Sequence, residues 1–226
     1  DMEAIGKYMY TAASNGIYVY KNDLIPENGS WNISYLGAIY PPTYGYDIKV
    51  QGKYTYVADK ENGFRIVDGT NPSSPKLLST ISPYYDVTGL DVRGNYAFLA
   101  NQEGGLRIYD VSNPGSPSDV ATMSTEYQVT DVDVNGRYAY LSHNDGSGGF
   151  TVVDVIVESQ PSVADKVDFA CVGKTTTDIK VRGNLLYITT DEESFSGGNL
   201  YIYDISNPSS PSYETTESFE NDLQRV

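Results

Sequence analysis

The sequence is poor in the residues that do most polar chemistry. Its 226 residues hold one histidine, His143, and one cysteine, Cys171. A histidine-rich transition-metal site is therefore excluded, and a Ser-His-Asp hydrolase would have to be built on His143 alone, a residue the pattern places on an exposed loop. A single thiol allows no internal disulfide; without a partner base, Cys171 reads as a small buried hydrophobe rather than a nucleophile. Cations are scarce too: 15 Lys and Arg stand against 30 Asp and Glu, a formal net charge of −15. Nucleic acid is excluded as a partner, because neutralising phosphate needs a basic excess. The same charge serves solubility, or draws cations and basic partners. No run of about 18 apolar residues occurs, so no helix is expected to span a membrane. Neither a Gly-x-x-x-x-Gly-Lys phosphate loop nor a Gly-x-Gly-x-x-Gly turn after a strand is present. The chain opens on Asp1 with no initiator Met and no basic-then-apolar leader, as expected of a mature or excerpted segment.

What is abundant is tyrosine and turn-formers: 21 Tyr, 21 Gly and 11 Pro. Strand-forming aromatics punctuated by turn residues point to an all-β protein. The stretch Leu200-Tyr201-Ile202-Tyr203-Asp204-Ile205-Ser206-Asn207-Pro208 returns as Leu106-Arg107-Ile108-Tyr109-Asp110-Val111-Ser112-Asn113-Pro114 and as Phe64-Arg65-Ile66-Val67-Asp68-Gly69-Thr70-Asn71-Pro72. Phe150 to Val155 keeps the strand without the turn, and Ile17 to Tyr20 keeps only the strand. Aligned on a turn glycine (Gly6, Gly52, Gly94, Gly136, Gly183), the units are spaced by 46, 42, 42 and 47 residues. Alternating runs flank each of these glycines, which supply the positive φ of a tight hairpin. A second glycine opens a third strand, and a fourth follows the Pro-rich corner. Each unit is a four-stranded meander that cannot bury both faces alone. Third strands apolar on both alternate sets require neighbours on both sides, which is the packing of a β-propeller. We expect one propeller domain over residues 1–226, its repeats near 1–46, 47–88, 89–130, 131–177 and 178–220. Residues 221–226 would start a further repeat or close the ring, and five complete repeats could belong to a larger array.

The Gly-x-Tyr-Ala-Tyr-Leu-Ala and Gly-Leu-x-Ile-Tyr-Asp-Val-Ser-Asn-Pro runs, with this repeat length, resemble the LVIVD-repeat propellers. The resemblance covers nearly the whole chain, most strongly residues 46–123 and 178–212. Unit one departs after Tyr20, where Lys21 to Asn32 is a polar insert containing Trp31; unit four departs after Val155. It implies a bacterial or archaeal secreted or cell-surface protein and no single assigned chemistry.

The two ends of such a ring differ. Turns between strands 1 and 2 and corners between strands 3 and 4 are nearly constant, and Asp68, Asp110, Asp154 and Asp204 are placed to accept backbone N–H bonds there. Loops between strands 2 and 3 and between one unit and the next vary, mixing acids with aromatics as recognition surfaces do. Candidate binding residues on this loop face are Tyr44, Tyr46, Glu61, Tyr84, Tyr85, Glu103 and Tyr127, with His143, Asp145, Phe169, Asp191, Glu192 and Phe195. Asp1, Asp47, Asp131 and Asp178 share one repeat position at the channel mouth, Gly89 taking the fifth place. Converging carboxylates repel unless protonated, bonded to backbone N–H groups or bridged by a cation such as Ca²⁺; we expect each to cap its own loop, with a calcium site as the other reading. Two positions on, Glu3, Lys49, Asp91, Asp133 and Lys180 alternate in sign and could pair across the channel. Asn28 and Asn32 begin N-glycosylation-type triplets.

The expected role is a non-catalytic extracellular or cell-surface scaffold, without a required cofactor. It would mediate protein binding, adhesion or self-assembly through the Tyr/acid loops. A carbohydrate-active hydrolase or lyase using channel-mouth carboxylates is one alternative, and a lectin-like glycan binder is the other.

Overall fold

Each repeat folds as the meander that its alternating runs and turn glycines dictate. The computed structural model describes residues 1–25, 30–39, 45–144, 148–169, 174–192 and 197–219. Blade 1 holds β1 (Met2–Ile5), β2 (Tyr8–Ala13), β3 (Gly16–Ile25) and β4 (Ser30–Ile39). Blade 2 holds β5 (Asp47–Gln51), β6 (Tyr54–Ala58), β7 (Phe64–Asp68) and β8 (Lys76–Ile81). Blade 3 holds β9 (Gly89–Arg93), β10 (Tyr96–Ala100), β11 (Leu106–Asp110) and β12 (Ser118–Met123). Blade 4 holds β13 (Gln128–Asn135), β14 (Tyr138–Asn144), β15 (Gly149–Asp154) and β16 (Ser162–Asp168). Blade 5 holds β17 (Lys174–Arg182), β18 (Leu185–Glu192), β19 (Gly198–Asp204) and β20 (Ser212–Phe219). Chain order is spatial order in every antiparallel sheet, and the five sheets form a five-bladed β-propeller whose first strands line a central channel. No helix occurs among the described residues, so none is long and apolar enough to cross a membrane.

The local chemistry repeats with the fold. Gly6, Gly52, Gly94, Gly136 and Gly183 all take φ between 56° and 63°, the left-handed conformation that joins strands 1 and 2. At the corners after strand 3, the Asp68, Asp110, Asp154 and Asp204 carboxylates accept the N–H two residues on, at 2.8, 2.8, 3.0 and 2.6 Å. All five blades shift register at one place between strands 3 and 4, after Val19, Ile66, Ile108, Val152 and Ile202. That bulge twists the outer edge and discourages pairing with another chain. Blade 1 is the exception at the corner. Across the insert read from the sequence, β3 and β4 continue as a ladder from Lys21↔Ser34 to Ile25↔Ser30. At about 3.3 Å per residue this hairpin extends the blade by roughly 13 Å where the other blades turn.

Burial follows the period-2 pattern on both faces of the inner strands. Four apolar clusters are each shared by consecutive blades. Tyr10, Ile17 and Val19 meet Ile48, Val57 and Val67. Tyr56, Phe64 and Ile66 meet Leu90, Leu99 and Tyr109. Phe98, Leu106 and Ile108 meet Val132, Leu141 and Val153. Tyr140, Phe150 and Val152 meet Ile179, Ile188 and Tyr203. Each fully buried aliphatic or Phe side chain contributes about 1.5–3 kcal/mol, so the blades hold together through these faces rather than singly. Gly89 serves one of them directly: a Cβ there would lie 2.1 Å from the Asp131 carboxylate and 2.7 Å from its Cα.

Two glycine substitutions should therefore separate turn strain from interface clash. At Gly94 an added Cβ meets nothing within 4 Å, so Gly94→Ala carries only the left-handed penalty, about 1–2 kcal/mol in urea unfolding. Gly89→Ala must displace Asp131 and is expected to cost about 3 kcal/mol or more. Equal losses would contradict the blade 3–blade 4 contact.

Candidate functional site

The first strand of each blade is a sheet edge, with outward N–H groups that its own sheet leaves unpaired. The preceding blade answers them with carboxylates. Asp47 accepts from Leu90 N at 2.8 Å, Asp91 from Val134 N at 2.8 Å, and Asp131 from Ile179 N at 3.1 Å. Asp133 accepts from Val181 N at 2.6 Å, Asp1 from Ile48 N at 3.4 Å, and Glu3 from Val50 N. Asp47, Asp91 and Asp178 also take the N–H of the next residue in their own strand. At the turn end a second ring runs the same way, with Gln51, Arg93 and Asn135 donating to the carbonyls of Gly94, Gly136 and Gly183 in the following blade.

The carboxylates, with Lys49 and Lys180, line a channel cavity of about 380 Å³. Burial, then the neighbouring Asp178 and Asp47, pushes the Asp131 carboxyl well above its ordinary value. Burial likewise raises Asp91, to about 6, with Lys49 opposing and Asp133 adding to the rise. Burial works against the charge on Lys49, but Asp47, Asp91 and Asp131 outweigh it and hold the ammonium. Lys180 lies 3.7 Å from Asp133. The expected alternation of sign thus places cations between acids. The four channel-mouth aspartates do not simply cap their own loops: Asp1, Asp47 and Asp131 reach across to the next blade. Among the described residues no three His, Cys, Asp or Glu side chains are placed to hold a metal ion.

The opposite end of the axis, on the loop face, is a different environment. A cavity of about 400 Å³ is lined by Thr88, Thr130, Thr176 and Thr177, by Gln102, Gln128 and Asn144, and by Tyr46, Lys60 and Asp191. Its wall is sewn between blades. Lys60 exchanges backbone bonds with Val87 at 3.0 and 3.2 Å, and Val129 N donates to Gln102 O at 3.2 Å. Thr130 Oγ1 lies 2.8 Å from Ser142 Oγ and 3.1 Å from Thr176 Oγ1. Lys60 and Gln102 hold φ of 44° and 41°, conformations that non-glycine residues seldom adopt.

The sequence-derived binding residues scatter over this end. Tyr46 and Asp191 line the funnel; Glu61 and Glu103 are exposed on the rim, where Gln128 donates to Glu103 at 2.6 Å. Tyr84 is 90% exposed and packs edge-on against Tyr85 at 4.9 Å. Tyr127 is half-buried under Lys166, whose Nζ sits 4.0 Å from the ring centre. Two expectations are corrected. His143 is not an exposed loop residue: it lies in β14, 2% exposed, beside Tyr127, with Asp168 at 3.8 Å from Nε2. Phe169 is 4% exposed, stacked on Tyr201 at 4.4 Å, and belongs to the core of blades 4 and 5. Tyr44, Asp145, Phe195, Cys171, Asn28, residues 221–226 and the side chain of Glu192 lie outside the described residues. The sequence reading missed the threonine funnel, although Thr88, Thr130 and Thr177 all stand one residue before the channel-mouth position.

This architecture defines a β-propeller repeat protein with a latched acidic channel and a polar, hydroxyl-lined loop face. More narrowly, the chain belongs to the LVIVD repeat family, whose repeat matches residues 44–82, 86–125, 128–168 and 172–216, that is, blades 2 to 5. A search of curated proteins finds no match. Among solved structures, hydrazine synthase of Kuenenia stuttgartiensis is similar at 12% identity and a TM-score of 0.70, over 92% of this chain and 62% of that one. The Cps50 (Swd1) β-propeller domain of Myceliophteria thermophila is similar at 13% and 0.72, over 97% and 72%. A protein of unknown function from Desulfotomaculum acetoxidans is similar at 12% and 0.74, over 96% and 69%. The chain thus spans about three-fifths of the hydrazine synthase chain. These likenesses speak to the fold alone.

The channel carboxyls predict a definite pH profile. Asp91 titrates near 6 when folded and near its ordinary 3.8 when unfolded. The folded state therefore binds more protons in between, and stability rises as pH falls from 7 through 6. The corner carboxyls of Asp68, Asp110, Asp154 and Asp204 are held below their ordinary value by their turn hydrogen bonds. Their contribution is lost only as pH drops below about 4. The melting temperature should peak between about pH 4 and 6, and Asp91→Asn should flatten the neutral limb. A profile climbing steadily from pH 5 to 8 would contradict the assignment.

Proposed function

We propose that this propeller is a non-catalytic binding scaffold, secreted or displayed on a cell surface, that engages a protein partner through its loop face. The observation that carries the reading is the pair Lys60 and Gln102. Both sit at one repeat position, both are held in left-handed backbone, and both residues line the funnel. Glycine would remove a penalty of about 1 kcal/mol at each; backbone strain retained at a cavity wall supports a contact role for the side chains. Around them, Tyr84, Tyr85 and Tyr46 offer exposed aromatic area, and Glu61 and Glu103 add charge suited to a basic partner. The non-catalytic reading is supported by the channel acids, whose oxygens serve neighbouring backbone N–H groups. The exterior location is supported by the Tyr-rich acidic composition and the family resemblance. A lectin-like role is a second reading, favoured by the threonine, glutamine and asparagine lining beside Tyr46, which suits a neutral polyhydroxylated ligand.

A photo-cross-linking amino acid placed at Tyr84 or Glu103 tests this against one placed at Ser116, on the corner face. In cells of the source organism, a protein adduct is expected from the loop-face positions and not from Ser116. Adducts from Ser116 alone would overturn the reading. A soluble oligosaccharide that binds the wild type but not Lys60→Gly or Gln102→Gly, with no protein adduct, would replace the protein reading with the glycan one.

A further inference from the structure

The faces that blades turn toward the next blade are buried in all but one case. Tyr56, Phe64 and Ile66 in blade 2 are no more than 2% exposed. The same holds for Phe98, Leu106 and Ile108 in blade 3, and for Tyr140, Phe150 and Val152 in blade 4. In the same register blade 5 presents Tyr187, Leu200 and Ile202, and all three are only partly buried. The converse face of blade 1 matches it. Met2 is 57% exposed, whereas its counterparts Ile48, Leu90, Val132 and Ile179 are at 1, 0, 2 and 1%. Tyr18 and Tyr20, in the places of Arg107 and Tyr109, are half-buried and pack against the ring of Tyr35, itself 53% exposed. No apolar cluster among the described residues spans blades 5 and 1. The turn-end ring lapses at the same seam. Arg93 reaches Gly136 O, Val155 O and Glu158 in the next blade, but Arg182, at the equivalent place, bonds its own Val181 carbonyl at 3.1 Å and is exposed.

We infer that the seam between blades 5 and 1 is a docking site for at least one further four-stranded unit of this repeat, carried by the same polypeptide. Continuity with the existing interfaces identifies the occupant. Blade 5 shows a forward face and blade 1 a backward face, so one added blade, packed like the others, satisfies both. Tyr187, Leu200 and Ile202 nearly reproduce Tyr56, Phe64 and Ile66, the face that receives blade 3. In sequence, Asp222-Leu223 repeats the Asp-apolar pair that opens β5 as Asp47-Ile48 and recurs in β17 as Asp178-Ile179. A second copy is disfavoured as occupant, since each copy carries a net charge of −15 and a head-to-tail contact of open rings does not close.

The test uses residues 1–226 with Cys171→Ser and a reporter thiol at Ile202→Cys or Thr11→Cys, one on each seam face, with Val152→Cys as the buried control. A second protein carries a copy of residues 89–130, the unit that packs on the Tyr56 face, in place of residues 221–226. Maleimide labelling at both seam positions should be fast in the first protein and slow by at least about tenfold in the second, with the melting temperature raised by several degrees and both proteins monomeric. Labelling unchanged by the added unit would overturn the proposal. So would seam thiols already as slow as Val152→Cys in the monomer, or protection that appears only as the first protein self-associates at higher concentration. Thr11→Cys keeps the test decisive if a core cysteine prevents folding.

Discussion

The inner edge of a propeller blade is a row of backbone N–H groups that its own sheet cannot satisfy, and the rest of this molecule is arranged around that fact. A buried donor left without an acceptor costs about 1–3 kcal/mol, and blades 2 to 5 each turn such donors toward the channel. The solution is a side-chain acceptor supplied by the preceding blade at every second residue. Blade 2 receives Asp1 and Glu3 at Ile48 and Val50, and blade 5 receives Asp131 and Asp133 at Ile179 and Val181. The i, i+2 spacing is the period of the strand itself, because only alternate N–H groups point out of the sheet. The interaction locks the rotation of each blade about the axis while the apolar faces set the distance between blades.

This device explains the channel's composition, including its irregularities. A ring of acceptors concentrates carboxylates, and the cost is met by Lys49 and Lys180 and by raised carboxyl pKa values at Asp91 and Asp131. Where Lys49 replaces an acid, blade 3 supplies its own acceptor, Asp91 taking the N–H of Val92. Where Gly89 replaces one, Asp131 of the next blade occupies the space a side chain would need. A part of the net negative charge is therefore structural, committed to hydrogen bonds inside the ring.

The repeat made most of the fold legible before any coordinates. Turn glycines, corner aspartates and two-sided apolar third strands are local statements, and each corresponds to one observed feature. The channel aspartates were visible as a repeat position, but their partners were not. A repeat tells which residues are equivalent, not whether a carboxylate turns to its own loop or to the neighbouring blade. His143 and Phe169 were misplaced for a related reason. β14 runs seven residues where β6 and β10 run five, so a position that is loop in blades 2 and 3 is strand in blade 4. Phe169 follows β16 into a gap between Phe150 and Tyr201 that only the stacked blades create. The blade 1 insert departs from the repeat, so no other unit showed that β3 and β4 continue through it as a ladder.

The two ends of the axis then divide the labour. At the channel and the corners nearly every polar side chain has a scaffold duty that repeats from blade to blade, and substituting it would unlatch a neighbour. At the loop face, Lys60 with Val87 and Gln102 with Val129 tie consecutive blades through backbone alone, so those ties place no requirement on the side chains of Lys60 and Gln102. Variable side chains on backbone kept in a costly conformation, around a cavity open to solvent, are what a recognition surface requires. The tyrosines and acids of the rim differ from unit to unit, unlike the channel and corner acids, which repeat.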